Sequence, residues 1–308
     1  MKKVLVVGEL NVDLVLQGYH AFPEAGKEVL VDDFMMVLGS ASAICARGLA
    51  RLGVPVAFLG RAGADPWGRF CVECLTGRGI DVTRTTCEPT LKTGVTVAIT
   101  SPSDRALVSF LGSIASLHAA DVPDAALAEV DHLHVSSYFL QERLRPDARG
   151  LFARARRLGL TTSLDPGFDP TEAWAPDLRD TLQEVDVFFP NEVELRAITG
   201  TDDVEQALRS LENGRTRVVA KLGRDGLATL EGGALLRVPA FTVEAVDTTG
   251  AGDSFNAGFL RAWLSGAPIR DALRLGAACG ALCTLGLGGT ARQADLAEAT
   301  AFLEAHSS

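Results

Sequence analysis

Aromatic rings are scarce in this 308-residue chain: they make up 6% of it, with 3 Trp and 2 Tyr. A pocket that stacks bases is therefore not advertised. Positive charge is also in short supply. Against 39 Asp and Glu stand only 29 Lys and Arg, a net charge of −10, which excludes the global basic footprint of a nucleic-acid binder. An acidic chain can still hold small phosphates on backbone amides. Cysteines are few and scattered, at 45, 71, 74, 87, 279 and 283. A chain this long needs no disulfide staples, and Cys71-x-x-Cys74 lacks a second pair at zinc spacing. Between Phe70 and Leu75, that pair reads as an ordinary helix face. The five histidines show no metal spacing, and His132 and His134 alternate onto one face of a strand.

Long hydrophobic runs are missing as well. The run Val4-Leu5-Val6-Val7 stops at Gly8-Glu9, too short for the core of a signal peptide. The longest uncharged stretch, Leu275 to Ala291, falls short of a membrane span and carries five glycines, so it reads as a buried helix plus loop. A soluble, cytoplasmic protein with no membrane partner is expected. Several reaction-defining motifs are absent too. There is no G-x-x-x-x-G-K-[ST], no G-x-G-x-x-G after a strand, no H-E-x-x-H and no G-x-S-x-G. P-loop ATPases, dinucleotide oxidoreductases, zinc proteases and α/β-hydrolases lose their defining parts.

What is present is a chain able to bury a sizeable core, 47% hydrophobic and 22% charged. Its length allows two domains, or one large α/β domain with an insertion. Short apolar runs bounded by Gly, Pro or Asp occur at Val4–Val7, Val56–Leu59, His132–Val135, Thr161–Leu164, Val185–Phe189 and Val218–Lys221. Strands buried on both faces look like this. Between them, Ala41–Leu52, Asp147–Leu158, Glu192–Thr199 and Val204–Leu211 have helical periodicity. Such alternation predicts an α/β fold, a mostly parallel sheet with helices on both faces. Two stretches break it. Leu14–Val37 holds Pro23, Gly26 and the β-prone Val29-Leu30-Val31, and Thr93–Leu111 reads as a hairpin turning at Ser101-Pro102-Ser103-Asp104. Together they predict a small antiparallel sheet beside the main one, a lid.

The strongest chemical signal is Asp247-Thr248-Thr249-Gly250-Ala251-Gly252-Asp253-Ser254-Phe255. Phe255, Phe259, Leu260, Trp263 and Leu264 follow at helical spacing, so the loop Thr249–Gly252 sits at a helix N-terminus. Small residues there let backbone N–H groups approach an anion, and the helix dipole favours negative charge. Asp253 projects from the first turn beside that anion hole, placed to take a proton from an attacking hydroxyl. An Asp that merely stabilises a helix start is the plain structural alternative. Asn11 and Asp13, two apart after a buried strand, suit a ligand crevice at a strand's carboxyl end, or form a turn. Asn191 and Glu194, three apart at a helix start, can point one way or cap the helix. Asp165-Pro166-Gly167-Phe168-Asp169 edges the site or makes a turn.

The motif at Asp247–Phe255 resembles the C-terminal signature D-T-x-G-A-G-D-x-F of the ribokinase-like, PfkB-type carbohydrate kinases. The resemblance runs along nearly the whole chain and implies one ribokinase-like domain over 1–308, a three-layer α/β sandwich whose lid comes from 14–37 and 93–111. Gly8-Glu9-Leu10-Asn11-Val12-Asp13 is similar to the family's first strand and turn, and implies that Asn11 and Asp13 meet the sugar. Leu38-Gly39-Ser40-Ala41-Ser42-Ala43, leading to Leu52-Gly53, resembles the N-terminal signature and adds Gly39 and Ser40. Pro190-Asn191-Glu192-Val193-Glu194 matches the family's N-x-x-E, and Lys221-Leu222-Gly223-Arg224-Asp225-Gly226 resembles its nucleotide turn.

The resemblance implies phosphorylation of a small sugar, polyol or keto-sugar acid by ATP. Asp253 would be the base, and the amides of Gly250, Ala251 and Gly252 the anion hole. ATP would lie against Asn191, Lys221, Gly223, Gly226 and Ala277 of the small-residue segment Gly276–Gly280. Mg²⁺ would be held by Glu194, directly or through water, and K⁺ near Asp247, the Thr249 carbonyl and the loop Gly286–Gly289. Two departures bear on the substrate: the signature's second Gly is Ser40, and its Asn is Ile44. Ile44 would then wall the sugar site, and the substrate would either differ from ribose at one hydroxyl or hold it through Ser40 or Ser42. A nucleoside kinase of the same fold and a non-catalytic sugar-binding regulator are the alternatives. A lid sheet with an open face predicts a homodimer through it.

Overall fold

The computed structural model describes residues 1–19, 21–100, 105–174 and 176–306. Six strands form a central, fully parallel sheet in the order Arg217–Val218, Val187–Phe188, Thr161–Leu164, His132–Val135, Val4–Val7, Val56–Leu59. Successive side chains of a strand point to opposite faces. Val4, Val6 and Phe58 accordingly enter one core, and Leu5, Val7 and Leu59 the other. The first core is closed by the helices Ala41–Arg51, Ala251–Trp263 and Ile269–Cys283, the second by Ala148–Arg157, Glu192–Thr199 and Val204–Ser210. Three layers result because the long central strands are buried on both faces. Helix limits follow local chemistry: Asn191 and Glu194 form a reciprocal capping box, and Gly200 ends that helix at φ 72°.

The predicted run Val218–Lys221 divides. Arg217–Val218 completes the central sheet, while Ala220–Lys221 turns into a separate antiparallel sheet with Leu227–Glu231 and Ala234–Val238. The expected lid corresponds to a four-stranded sheet in the order Asp33–Leu38, Asn11–Gln17, Gly94–Thr100, Arg105–Phe110. Its outer pairs are antiparallel, but the central pair, Asn11–Gln17 with Gly94–Thr100, is parallel, so the all-antiparallel expectation is corrected. A hairpin joins only antiparallel strands; here the chain returns through the core between the two, and emerges in the same direction. Val29-Leu30-Val31 is not a strand, and Leu30 is exposed. The predicted turn Ser101–Asp104 lies outside the described residues.

The two strand histidines are buried in a hydrogen-bonded ladder. The Ser163 hydroxyl lies 2.7 Å from both His132 Nε2 and His134 Nδ1, with Thr161 and Ser136 at the two ends. Burial pushes the His134 pKa down to about 4, so the imidazole is a neutral part of the core. Among the described residues there is no cluster of three or more potential metal ligands, and no helix long and apolar enough to cross a membrane.

Candidate active site

The chemistry-bearing residues collect where the central strands end at their carboxyl edges, the usual ligand crevice of an open α/β sheet. Val4–Val7 runs into Gly8–Asp13, Thr161–Leu164 into Asp165, and the helix Ala251–Trp263 starts opposite them. Gly250 caps that helix at φ 72°, and a Cβ there would stand 2.5 Å from the Cα of Gly289, so the loop needs glycine twice over. Asp247 ties the two loops together. Its Oδ1 accepts from Thr249 N at 2.8 Å and Thr249 Oγ1 at 2.7 Å, and its Oδ2 from Gly288 N at 2.8 Å.

Asp253 lies in the first helical turn, as the motif implied. Burial, with the Asp165, Glu9 and Glu194 carboxylates nearby, holds its pKa well above the ordinary aspartate value, against the attraction of Lys221. Lys221 Nζ donates to Asp165 Oδ2 at 2.7 Å, and Asn256 Nδ2 donates to the same oxygen at 2.7 Å. Glu194 is raised to about 7, by burial first and then by Asp165. Three carboxylates, Asp165, Glu194 and Asp253, thus act on the one Lys221 ammonium, a field that structures rarely tolerate without a use for it.

A cleft of about 640 Å³ opens on this cluster. Among its walls are Lys221, Gly223, Gly226, Ala251, Gly252 and Ala277, six residues the sequence pointed to. Phe241, Thr242, Val243 and Ala245 add to the wall; they lie in irregular backbone, where no period or glycine pattern marks them. Asn191 is not among the lining residues. Its side chain donates to Glu194 Oε1 at 2.7 Å while its backbone N donates to Oε2 at 2.8 Å. The cap thereby orients the Glu194 carboxylate, and each oxygen keeps a lone pair beyond the one hydrogen bond it accepts.

Beyond the end of the first strand, Asn11 Nδ2 donates to Asp13 Oδ1 at 2.9 Å, across the face of Gly39. A Cβ on Gly39 would fall 2.2 Å from Asp13 Oδ1 and 2.4 Å from Asn11 Nδ2, so these three residues form one packed corner. Ser40 adopts φ 72° without being glycine. Its hydroxyl donates to Glu9 O at 2.5 Å and accepts from Ala43 N at 3.0 Å, compensating that backbone. Ser42 Oγ donates to Glu9 Oε2 at 2.5 Å, and Ser137 Oγ to Glu9 Oε1 at 2.9 Å. Buried Glu9 and the helix cap thus engage the hydroxyls of Ser40 and Ser42, the two expected to hold a substrate hydroxyl. Ile44 is buried, and its Cδ1 lies 2.6 Å from where a Cβ on Gly289 would be, so it packs against the loop that backs Gly250. Glu9 itself escaped the sequence reading, although an acidic residue straight after an apolar strand and Gly8 was the available signal.

The model of the pfkB family carbohydrate kinases matches residues 1–295. The ATP-dependent ribose-1-phosphate kinase of Halopiger xanaduensis is 32% identical over 306 residues, 98% of this chain and 97% of that one. The fructokinase of Vibrio cholerae, solved with fructose, ADP and calcium ion, is similar at TM-score 0.78 and 28% identity, over 98% of this chain and 99% of that one. The Arabidopsis thaliana ribokinase complexed with ribose and ATP has TM-score 0.85, covering 98% and 99% of the two chains; at 24% identity it speaks for the fold.

Proposed function

This chain belongs to the pfkB family of carbohydrate kinases, and from that premise we propose that it transfers the γ-phosphoryl group of ATP to a hydroxyl of a small sugar or related polyol. The observation that carries the reading is Asp253 in the first turn of a helix whose N-terminal loop, Gly250–Gly252, opens on the 640 Å³ cleft. ATP occupies that cleft, with its phosphates toward the amides of Gly250, Ala251 and Gly252 and its base between Phe241–Ala245 and Ala277. The sugar lies against Asn11, Asp13 and Gly39, where short polar groups converge on a glycine. Ser40 contributes there by holding the turn. Asp253 takes the hydroxyl proton.

Mg²⁺ bound with the nucleotide would supply charge neutralisation across its phosphates. Glu194 would hold it, directly or through water, and Asn191 orients Glu194 for that purpose. K⁺ would be held by Asp247 and the carbonyls of Thr249 and Gly289. Both carbonyls face the Cys283 thiol, at 3.7 and 3.4 Å, a weak donor that a hard cation outcompetes. Turnover that is the same in K⁺ and in tetramethylammonium would remove this element.

The four-stranded sheet is the lid of a single domain over 1–308, and a second copy of the chain is its partner. Register places Phe34, Met36, Val108 and Phe110 on one face, all exposed, an apolar patch that isolated proteins rarely carry. ADP release with pooled neutral sugars, keto-sugar acids and nucleosides is the test of the whole reading. Release with none of them, from folded protein, would favour a non-catalytic sugar binder; release with nucleosides alone would move the substrate class.

A further inference from the structure

Lys221 ends the short strand Ala220–Lys221, and its side chain is 14% exposed. A buried ion pair is weak evidence for stability, since apolar residues of similar volume often serve as well or better. Its placement is more informative. The partner, Asp165, is satisfied without it: Oδ2 accepts from Asn256 Nδ2, and Oδ1 accepts from Gly167 N at 3.0 Å. Lys221 Nζ lies 3.3 Å from where a Cβ on Gly252 would be, directly beside the anion loop, and Lys221 lines the cleft. Asn256 stands three residues after Asp253 on one helix, so a single turn carries both the base and the clamp on Asp165. The helix that presents the base thus also locates the ammonium.

We propose that Lys221 is a catalytic residue whose ammonium neutralises the phosphoryl group in flight, and that Asp165, clamped by Asn256, is the positioning residue holding it at the anion loop. This rests on the cleft being the nucleotide site. In the step, the sugar oxygen forms a bond to the γ-phosphorus and the bond from that phosphorus to the β,γ-bridging oxygen breaks. The hydroxyl proton passes to Asp253, and the bridging oxygen leaves on ADP with its electron pair. Negative charge gathers on the leaving and peripheral oxygens, and a fixed ammonium in a water-poor site stabilises it more in the transition state than in the bound nucleotide.

The competing account makes Lys221 only the counter-ion of Asp165, and the double variant separates the two. Lys221→Met alone leaves a buried carboxylate without its cation and lowers the melting temperature, so turnover is read on Lys221→Met/Asp165→Asn, which removes both charges of the pair. We expect the double variant to melt near the wild type and to lose about 10²–10³-fold in kcat, with the sugar KM within threefold. Asp165→Asn alone should lose about tenfold in kcat, also at constant sugar KM, because the ammonium is present but less well aimed. A double variant with kcat within fivefold of wild type would overturn the proposal. So would one whose loss lies wholly in ATP KM. Asp253→Asn assayed in parallel keeps the outcomes apart: full turnover there defeats the general-base reading, whereas full turnover in the Lys221 double variant defeats only this inference.

Discussion

Asp253→Asn keeps the shape of the side chain and removes both the base and a charge, so the proposed mechanism expects two opposite effects. General-base assistance contributes about 10²–10⁴-fold, and each tenfold corresponds to about 1.4 kcal/mol, so kcat should fall by about 3–5 kcal/mol of transition-state stabilisation. Stability should move the other way. The carboxylate is pushed up by burial and by three like charges, Asp165, Glu9 and Glu194, with Lys221 alone opposing them. An acid whose pKa is raised by folding binds more protons folded than unfolded, so its ionisation works against the fold as pH rises above the ordinary aspartate value. The variant should therefore melt higher than wild type at pH 8, by roughly 2–4 °C per kcal/mol relieved, and the gap should close near pH 3.5. ATP affinity should hold or improve, because a negative charge beside the phosphates is gone. Coupled ADP release measures the first effect, and calorimetric melts at the two pH values the second. If Asp253 only steadies a helix start, Asn serves as well; turnover near wild type in the folded variant would falsify the mechanism.

Gly39→Ala drives a methyl into Asp13 and Asn11, and should raise sugar KM at least tenfold while ATP KM stays within twofold; equal shifts in both would remove Gly39 from the sugar site. Ile44→Asn strands a polar group against Gly289 under the anion loop, so it should destabilise by about 1–3 kcal/mol and lower kcat without a change in preference among sugars. A sugar-specific change in KM would restore Ile44 to the pocket wall. Phe110→Glu, on the exposed apolar face of the lid sheet, should shift sedimentation from dimer to monomer; a wild type already monomeric at micromolar concentration refutes the interface.

Much of the architecture was legible because it is periodic. Glu192–Thr199 matches its amphipathic segment end to end, as four of the six central strands, Val4–Val7, Val56–Leu59, His132–Val135 and Thr161–Leu164, match their runs. A strand buried on both faces leaves a mark in consecutive residues, and so does a helix start. The parallel pairing of Asn11–Gln17 with Gly94–Thr100 left none, since direction depends on how the intervening chain returns. Nor did the division of Val218–Lys221 between two sheets: both halves are equally apolar, and only their neighbours differ.

The site shows the same division. Residues 247–255 carry in order the glycine loop, the helix start and the aspartate proposed as the base, because one short segment makes all three, and the sequence alone placed them there. Gly39 and Asp13 were named from the sequence, but their mutual fit, a Cβ with no room between two side chains, belongs to the fold. Tertiary structure alone decided that Lys221 would meet Asp165 across 56 positions, that Glu9 would take the hydroxyls of Ser42 and Ser137, and that Ile44 would lie under Gly289. The physical reason is range. Backbone conformation and helix-end electrostatics act over a few residues and can be read there, whereas a buried charge finds its partner only after the sheet has brought distant strand ends to one edge.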